Sequence, residues 1–248
     1  MRSVTIAFAV LDEVAVHQPV GVSELARLLD LPKSTVQRSL RVLAEVEWIR
    51  PSKHGEQTRW MLTSRPLVMA GLLQRREKTL RAAATPIMHE LGRQTKETVR
   101  LMVHDRSWMV LLDKVESTQP GRSLTWIGAQ APIHASAAGL VHLAYLPEER
   151  VEPIVAGRLE RFTESTVTEL PALLAALEEV RARGYAVNAG MWRDEVNAVG
   201  AAVLDPERRP IAAITVSTPA QRLPRRLWPQ YGAMIHEAAM RISREMYD

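Results

Sequence analysis

The stretch from Gly21 to Pro51, GVSELARLLDLPKSTVQRSLRVLAEVEWIRP, constrains this chain more than any other part of it. Two short helical patterns flank Asp30 and Leu31. At about 100° per residue, Val36, Leu40 and Leu43 share one side of the second pattern, while Ser34, Gln37, Arg38 and Arg41 cluster on the opposite side. The first side is built to pack, and the second is one that a DNA major groove can read. Amphipathic helix pairs with a few arginines are also common as plain solvated faces, so this stretch alone leaves both readings open.

Its surroundings narrow the choice. Val4, Ala7, Phe8, Leu11, Val14 and Ala15 recur at helical spacing until His17-Gln18-Pro19 stops them, which predicts a first, core-packing helix. Ser23 is a plausible N-cap for the next helix, Leu25, Leu28 and Leu29 give that helix an inward side, and Pro32 suits the opening turn of a recognition helix running to about Val46. Trp48-Ile49-Arg50-Pro51, a polar tip SKHGEQ and Arg59-Trp60-Met61-Leu62 read as a β-hairpin with its turn near Gly55. Three helices and a hairpin make a winged helix-turn-helix, whose basic tip (Lys53, His54, Arg59) suits a phosphate backbone. The net charge of +4 is too small to argue for a polyanionic partner, but its placement is not even. Lys33, Arg38 and Arg41 stand between Leu31 and Leu43 with no acid among them.

From Pro66 to about Thr79 a helical pattern (Leu67, Val68, Ala70, Leu72, Leu73) turns into the basic run Gln74-Arg75-Arg76-Glu77-Lys78. Its apolar side has little to cover in so small a head, so either a second subunit or the chain's own second domain must bury it. Beyond Leu80 the pattern alternates between helix and strand. A helix through 82–94 precedes strands at Glu97 to His104 and Trp108 to Glu116, with a third at about Arg122 to Ile127. An irregular loop at 128–134 leads into a small-residue helix from Ala135 to Leu146, and Pro147 caps a further one. Thr168 to Arg183 forms a helix stopped by Gly184, Tyr185 to Ala189 starts a strand, and Val196 to Asp205 with Pro210 to Ser217 forms a hairpin. A last helix spans about Pro224 to Met246. The fold class expected is α+β, mostly antiparallel, divided into a head at 1–64, a linker helix at 65–79 and a second domain at 80–248.

The chain has no cysteine, so disulfides, thiolate metal sites and thiol nucleophiles are excluded. Its seven histidines are scattered without metal-ligand spacing, and no nucleotide loop or nucleophile elbow is present. His134 near Ser136 lacks an orienting acid, and acid pairs such as Glu148-Glu149 belong to solvated helix faces. No catalytic residue, metal site or cofactor is therefore expected. No apolar run approaches the roughly 20 residues of a membrane span, and the N-terminus lacks a secretion signal, so a cytoplasmic protein with no membrane partner is expected.

Several strings, in order, resemble the IclR family of bacterial transcription regulators over essentially the whole chain. They are RSVTIAFAVLDEVA, GVSELARLLDLPKSTVQRSLRVL, VLLDKVES, GAQAPIHASAAG followed by LAYLP, EEVRARGYAV and LDPERRPIAAITVSTPA. The resemblance implies a winged head, a linker helix and a C-terminal effector-binding domain with a curved antiparallel sheet flanked by helices. It implies a homodimer or homotetramer on a double-stranded, pseudo-palindromic operator, with affinity modulated by a small carboxylate or aromatic metabolite. On DNA, Lys33, Ser34, Thr35, Gln37, Arg38 and Arg41 would serve as readers and phosphate contacts, with Lys53 and Arg59 from the wing. Carried over by motif, the effector site would involve Leu111, Gly128 and Ala129, then Asn188 and Ala198, then Thr215 and Ser217, with Trp126 added as apolar wall. Backbone N–H groups at Gly128-Ala129 and the hydroxyls of Thr215 and Ser217 would be the donors to a carboxylate, against an apolar wall from Leu111 and Trp126. Departures from the family pattern fall at Gly139-Leu140, at Asn188 and along Glu195 to Val203, in the region expected to choose the ligand. Two other readings remain: a regulator of this type that has lost its response to a small molecule, and a metabolite-binding enzyme.

Overall fold

The computed structural model describes residues 2–54, 57–76, 78–120, 125–155 and 159–247. The chain divides into two units, Met1–Arg76 and Glu77–Asp248. In the first, the apolar spacing read from the sequence becomes helices α1 (Arg2–His17), α2 (Val22–Leu28) and α3 (Lys33–Glu45). A three-stranded sheet completes the head: β1 (Val20–Gly21), β2 (Ile49–His54) and β3 (Gln57–Leu62), in the order β1-β3-β2. Helix α4 (Arg65–Arg76) follows the wing. Val10 and Val14 of α1, Leu25 of α2, Val36 and Leu40 of α3 and Ile49 of β2 close one core, all nearly or wholly removed from solvent. The wing hairpin is present as expected, while its turn near Gly55 lies outside the described residues.

The short β1 was not anticipated, and it moves the start of α2. Pairing of Gly21 with Arg59 holds Gly21 extended (φ −93°, ψ 159°), so the helix begins directly after it and Gly21, not Ser23, is the N-cap. Between α2 and α3 the turn is closed by the Leu31 N–H donating to the Ala26 carbonyl at 3.0 Å. Asp30 sits there at φ 50°, a left-handed conformation that aspartate tolerates better than most residues.

The second unit opens with α5 (Lys78–Thr95), β4 (Thr98–Asp105) and β5 (Trp108–Val115). Next come β6 (Gln130–Pro132), α6 (Ala137–Ala144), α7 (Glu148–Ile154) and α8 (Leu170–Arg183). The chain ends with β7 (Ala186–Ala189), β8 (Val196–Leu204), β9 (Pro210–Pro219) and α9 (Trp228–Tyr247). The strands form one curled antiparallel sheet in the order β6-β5-β4-β9-β8-β7. Strand periodicity sorts the side chains onto two covered faces. Leu101, Val199, Ala201, Val203 and Ile214 lie in one core with α5 and α9, and Met102, Ala202, Leu204 and Ala213 lie in the other with α6 and α8.

The expected strand at about Arg122 to Ile127 is corrected by the structure. Residues 122–124 lie outside the described residues, and Thr125 to Gly128 form no strand. Gly128 turns the chain at φ 89° and donates its N–H to the Leu111 carbonyl at 2.8 Å, so the chain joins β5 only afterwards, as β6.

Candidate functional site

Helix α3 buries Val36, Ser39, Leu40 and Leu43 and leaves Lys33, Ser34, Gln37, Arg38 and Arg41 exposed on one face, with Thr35 half-buried at its start. The first N–H groups of a helix have no intrahelical acceptor, which favours an anion such as a phosphate at this end. Arg59 is engaged within the head: its guanidinium donates to the Pro19 carbonyl at 2.9 Å and lies 3.8 Å from the Glu24 carboxylate. Lys53 is in β2, and its side chain lies outside the described residues. The base of α4 is fastened to the head by Arg65, which donates to the Val46 carbonyl at 2.7 Å. Leu67, Val68, Met69 and Leu72 of α4 are exposed.

In the second unit a cavity of about 160 Å³ opens on the sheet face that carries α6. Leu111, Trp126, Ala129, Asn188, Ala198, Thr215 and Ser217 line it together, and Gly128 does not. The geometry follows from register. Asn188, Ala198, Ser217 and Thr98 form one row across β7, β8, β9 and β4, and Gly200, Thr215 and Arg100 form the next. Helix α6 begins over the second row: a Cβ on Gly200 would lie 3.2 Å from the Ala137 carbonyl. Ser136 caps this helix by accepting the Gly139 N–H at 3.2 Å, and Ser136, Ala137 and Ala138 also line the cavity. At Gly139 a Cβ would fall 1.9 Å from the Ile133 carbonyl oxygen, so only glycine lets α6 settle against the loop before it.

One expectation is corrected here. The N–H groups of Gly128 and Ala129 are already used, by the carbonyls of Leu111 at 2.8 Å and Trp126 at 3.0 Å, so neither is a free donor. Free backbone donors at this cavity belong instead to the first turn of α6. Asn188 is buried with both ends of its amide engaged: it donates to the Ala135 carbonyl at 2.7 Å and accepts from the Met191 N–H at 2.8 Å. Its role is to hold the loop ahead of α6 against the sheet. His134 and Ser136 also have structural partners, the Glu160 carbonyl at 3.0 Å and the α6 cap.

The sequence reading missed the two cavity residues that carry charge, Arg100 and Arg193. Burial, and then the positive charge of Arg193, pushes Arg100 down to about 10 from the ordinary arginine range. Its Nε has no hydrogen-bond partner, and neither does the buried Oγ1 of Thr125 in the same wall. Arg193 is exposed and stacks over the Trp192 ring at 4.5 Å. Among the described residues neither guanidinium makes an ion pair, and no carboxylate lines the cavity. A signal for Arg100 was present: Val99 and Leu101 alternate with it, so a lone base had to face inward with Thr98 and Met102. Among the described residues there is no cluster of three or more His, Asp or Glu to hold a metal, and no helix is long and apolar enough to cross a membrane.

A winged-helix head with an exposed basic helix face, followed by a separate α+β unit with a cavity on its sheet, has the plan of a two-domain DNA-binding regulator. Comparison with known proteins gives the family. Residues 3–52 match the IclR helix-turn-helix domain, and residues 73–244 match the C-terminal domain of IclR bacterial transcriptional regulators. The chain is 30% identical to the HTH-type transcriptional regulator KdgR of Escherichia coli over 99% of its own length and 93% of that protein's. Among solved structures it resembles the IclR protein of Thermotoga maritima (TM-score 0.77, 26% identity, 99% of each chain). It also shares the fold of an IclR homologue from Microbacterium hydrocarbonoxydans complexed with 4-hydroxybenzoate (TM-score 0.77, 24% identity, 98% of each chain). The chain belongs to the IclR family and is a transcriptional regulator, not an enzyme.

Proposed function

We propose that this regulator works as a homodimer, or as a tetramer made of two such dimers, on a pseudo-palindromic operator, and that a small organic acid in the cavity adjusts its DNA affinity. The observation that carries the ligand is the pair of unpartnered buried polar atoms, Arg100 Nε and Thr125 Oγ1, in one cavity wall. Neither atom has a partner among the described residues, so both are available as hydrogen-bonding groups to an acid entering the cavity. The free N–H groups at the start of α6 are suited to a carboxylate, with Thr215 and Ser217 beside them and Leu111 and Trp126 as apolar wall. The Microbacterium neighbour, of the same fold, holds an aromatic acid.

On DNA, Ser34, Gln37, Arg38 and Arg41 read bases and phosphates from the exposed face of α3, while Lys33 and Thr35 meet phosphate at its N-terminus. Lys53 and Arg59 of the wing are assigned supporting phosphate contacts, which Arg59 can make with its remaining donors while its Nη1 stays bonded to Pro19. The exposed apolar side chains of α4, with Val4 and Phe8 of α1, are the surface a second copy covers. Such a regulator acts in the cytoplasm, where the chromosome is.

Fluorescence anisotropy on DNA from the adjacent promoter tests the reading. Arg38→Ala and Arg41→Ala should each weaken binding about tenfold or more and lower the salt dependence by about one counterion. If both variants bind with unchanged affinity and salt slope, α3 is not the recognition helix. An acid that changes operator affinity must itself be bound with affinity changed by the same factor when operator is present.

A further inference from the structure

If the cavity is an effector site, its arginines bear on how much negative charge the occupant brings. Gly200, Thr215 and Arg100 are register partners on β8, β9 and β4, and the first residue of α6 lies directly over Gly200. Neighbouring strands are about 4.8 Å apart, so the start of α6 and the backbone of Arg100 face each other across roughly 10 Å, with Thr215 between them. These are two separate receptors for negative charge. One is a helix start, with free N–H groups and the positive end of the dipole. The other is the Arg100 guanidinium, whose Nε is buried without a partner among the described residues, in a cavity whose lining also carries the unpartnered Thr125 Oγ1. Arg193, on the rim of the same cavity, adds a second positive charge near Arg100, and no lining carboxylate neutralises either. A monoacid satisfies one receptor and leaves the other bare.

We propose that the cavity takes a compact organic dianion, two acid groups on a short apolar body. One acid group sits at the start of α6 and the other is received by Arg100, with Arg193 closing over it. The apolar body lies against Met102, Leu111 and Trp126. The inference rests on the effector reading of this cavity and adds the number and placement of the ligand's charges.

Titration calorimetry on the full chain tests it, using linear diacids of four to eight carbons and the benzene dicarboxylic acids, each paired with its monomethyl ester. A hydrogen bond to a charged group is worth enough that the preferred diacid should bind about 10- to 100-fold more tightly than its own monoester. Arg100→Gln should erase that preference by bringing diacid affinity down to that of the monoester, and Arg193→Gln should reduce it partially. Among the described residues Arg100 makes no ion pair and its Nε no hydrogen bond, so Arg100→Gln should melt no lower than the parent. Equal affinity of diacid and monoester for the parent protein, a preference that survives Arg100→Gln, or no binding of any acid would each overturn the proposal. Ala198→Trp, which fills the cavity, separates this from failure of the underlying reading. If acids bind that variant as before, the cavity is not the effector site. If they are lost from it but Arg100→Gln changes nothing, only the charge assignment falls.

Discussion

His142 makes the second unit acid-sensitive by an amount that can be worked out. It lies on α6, every residue of which is buried, with its ring centroid 4.3 Å from that of His104 and its Nδ1 without a partner. Burial, and then the neighbouring charge of His104, pushes it from the ordinary value of 6.5 to about 3. A base whose proton is held less tightly in the folded state favours unfolding wherever the unfolded chain takes up that proton and the folded chain does not. The contribution is therefore constant above pH 6.5 and declines as the pH falls from 6.5 toward 3. The slope is about 1.4 kcal/mol per pH unit, so from pH 7 to pH 5 this one residue removes about 2 kcal/mol. His142→Leu keeps an apolar group of similar size and removes the titration. Urea denaturation of parent and variant at pH 7.5 and pH 5, following the transition of the second unit, gives a double difference from which groups distant from His142 cancel. An equal loss of stability on acidification in both proteins would refute the reasoning, because it would mean that His142 accepts its proton in the folded state.

Two further changes test the packing around the cavity. Gly139→Ala places a methyl 1.9 Å from the Ile133 carbonyl oxygen, a collision with backbone that no rotamer relieves, so the variant should lose about 3 kcal/mol or more in thermal or chemical denaturation. An unchanged melting temperature would show that α6 can withdraw from the loop before it. Arg222 donates to both oxygens of the buried Glu97 carboxylate at 2.6 and 2.8 Å. Arg222→Ala should cost about 3 kcal/mol by stranding that charge, and adding Glu97→Gln should recover much of it, as a double-mutant cycle in urea would measure.

Much of the architecture was legible because it is local. The winged head follows from helical spacing and two strand-like runs, and the α+β second unit from alternation such as Val99, Leu101 and Val103. What the sequence hid depends on long-range pairing. β1 is only two residues long and exists because β3 lies beside it. The expectation of free donors at Gly128 and Ala129 comes from the family motif, but pairing with β5 and a local turn use both N–H groups. Asn188 lines the cavity as expected for a site residue, but that its amide also joins Ala135 to Met191, residues far from each other in sequence, could not be read from the chain. Arg100 could be read as facing inward, yet whether a partner carboxylate waits there depends on which strands flank β4.

That last point decides how the cavity can work. Lowering Arg100 to about 10 corresponds to roughly 3 kcal/mol of unfavourable charging in the folded protein. The sign follows from the lowered value: the unfolded chain holds this proton more tightly, so the penalty is present at neutral pH and is relieved only as the pH rises past 10. An internal carboxylate would have removed that penalty and neutralised the cavity at the same time. Its absence leaves interaction energy that an incoming anion can recover. An anion held by the first turn of α6 at one end and by Arg100 of β4 at the other also joins two layers that otherwise meet through small apolar side chains such as Ala137 and Ala138. Ligand binding then acts on the position of α6 over the sheet, a difference between empty and occupied states of the kind that any linked change in DNA affinity requires.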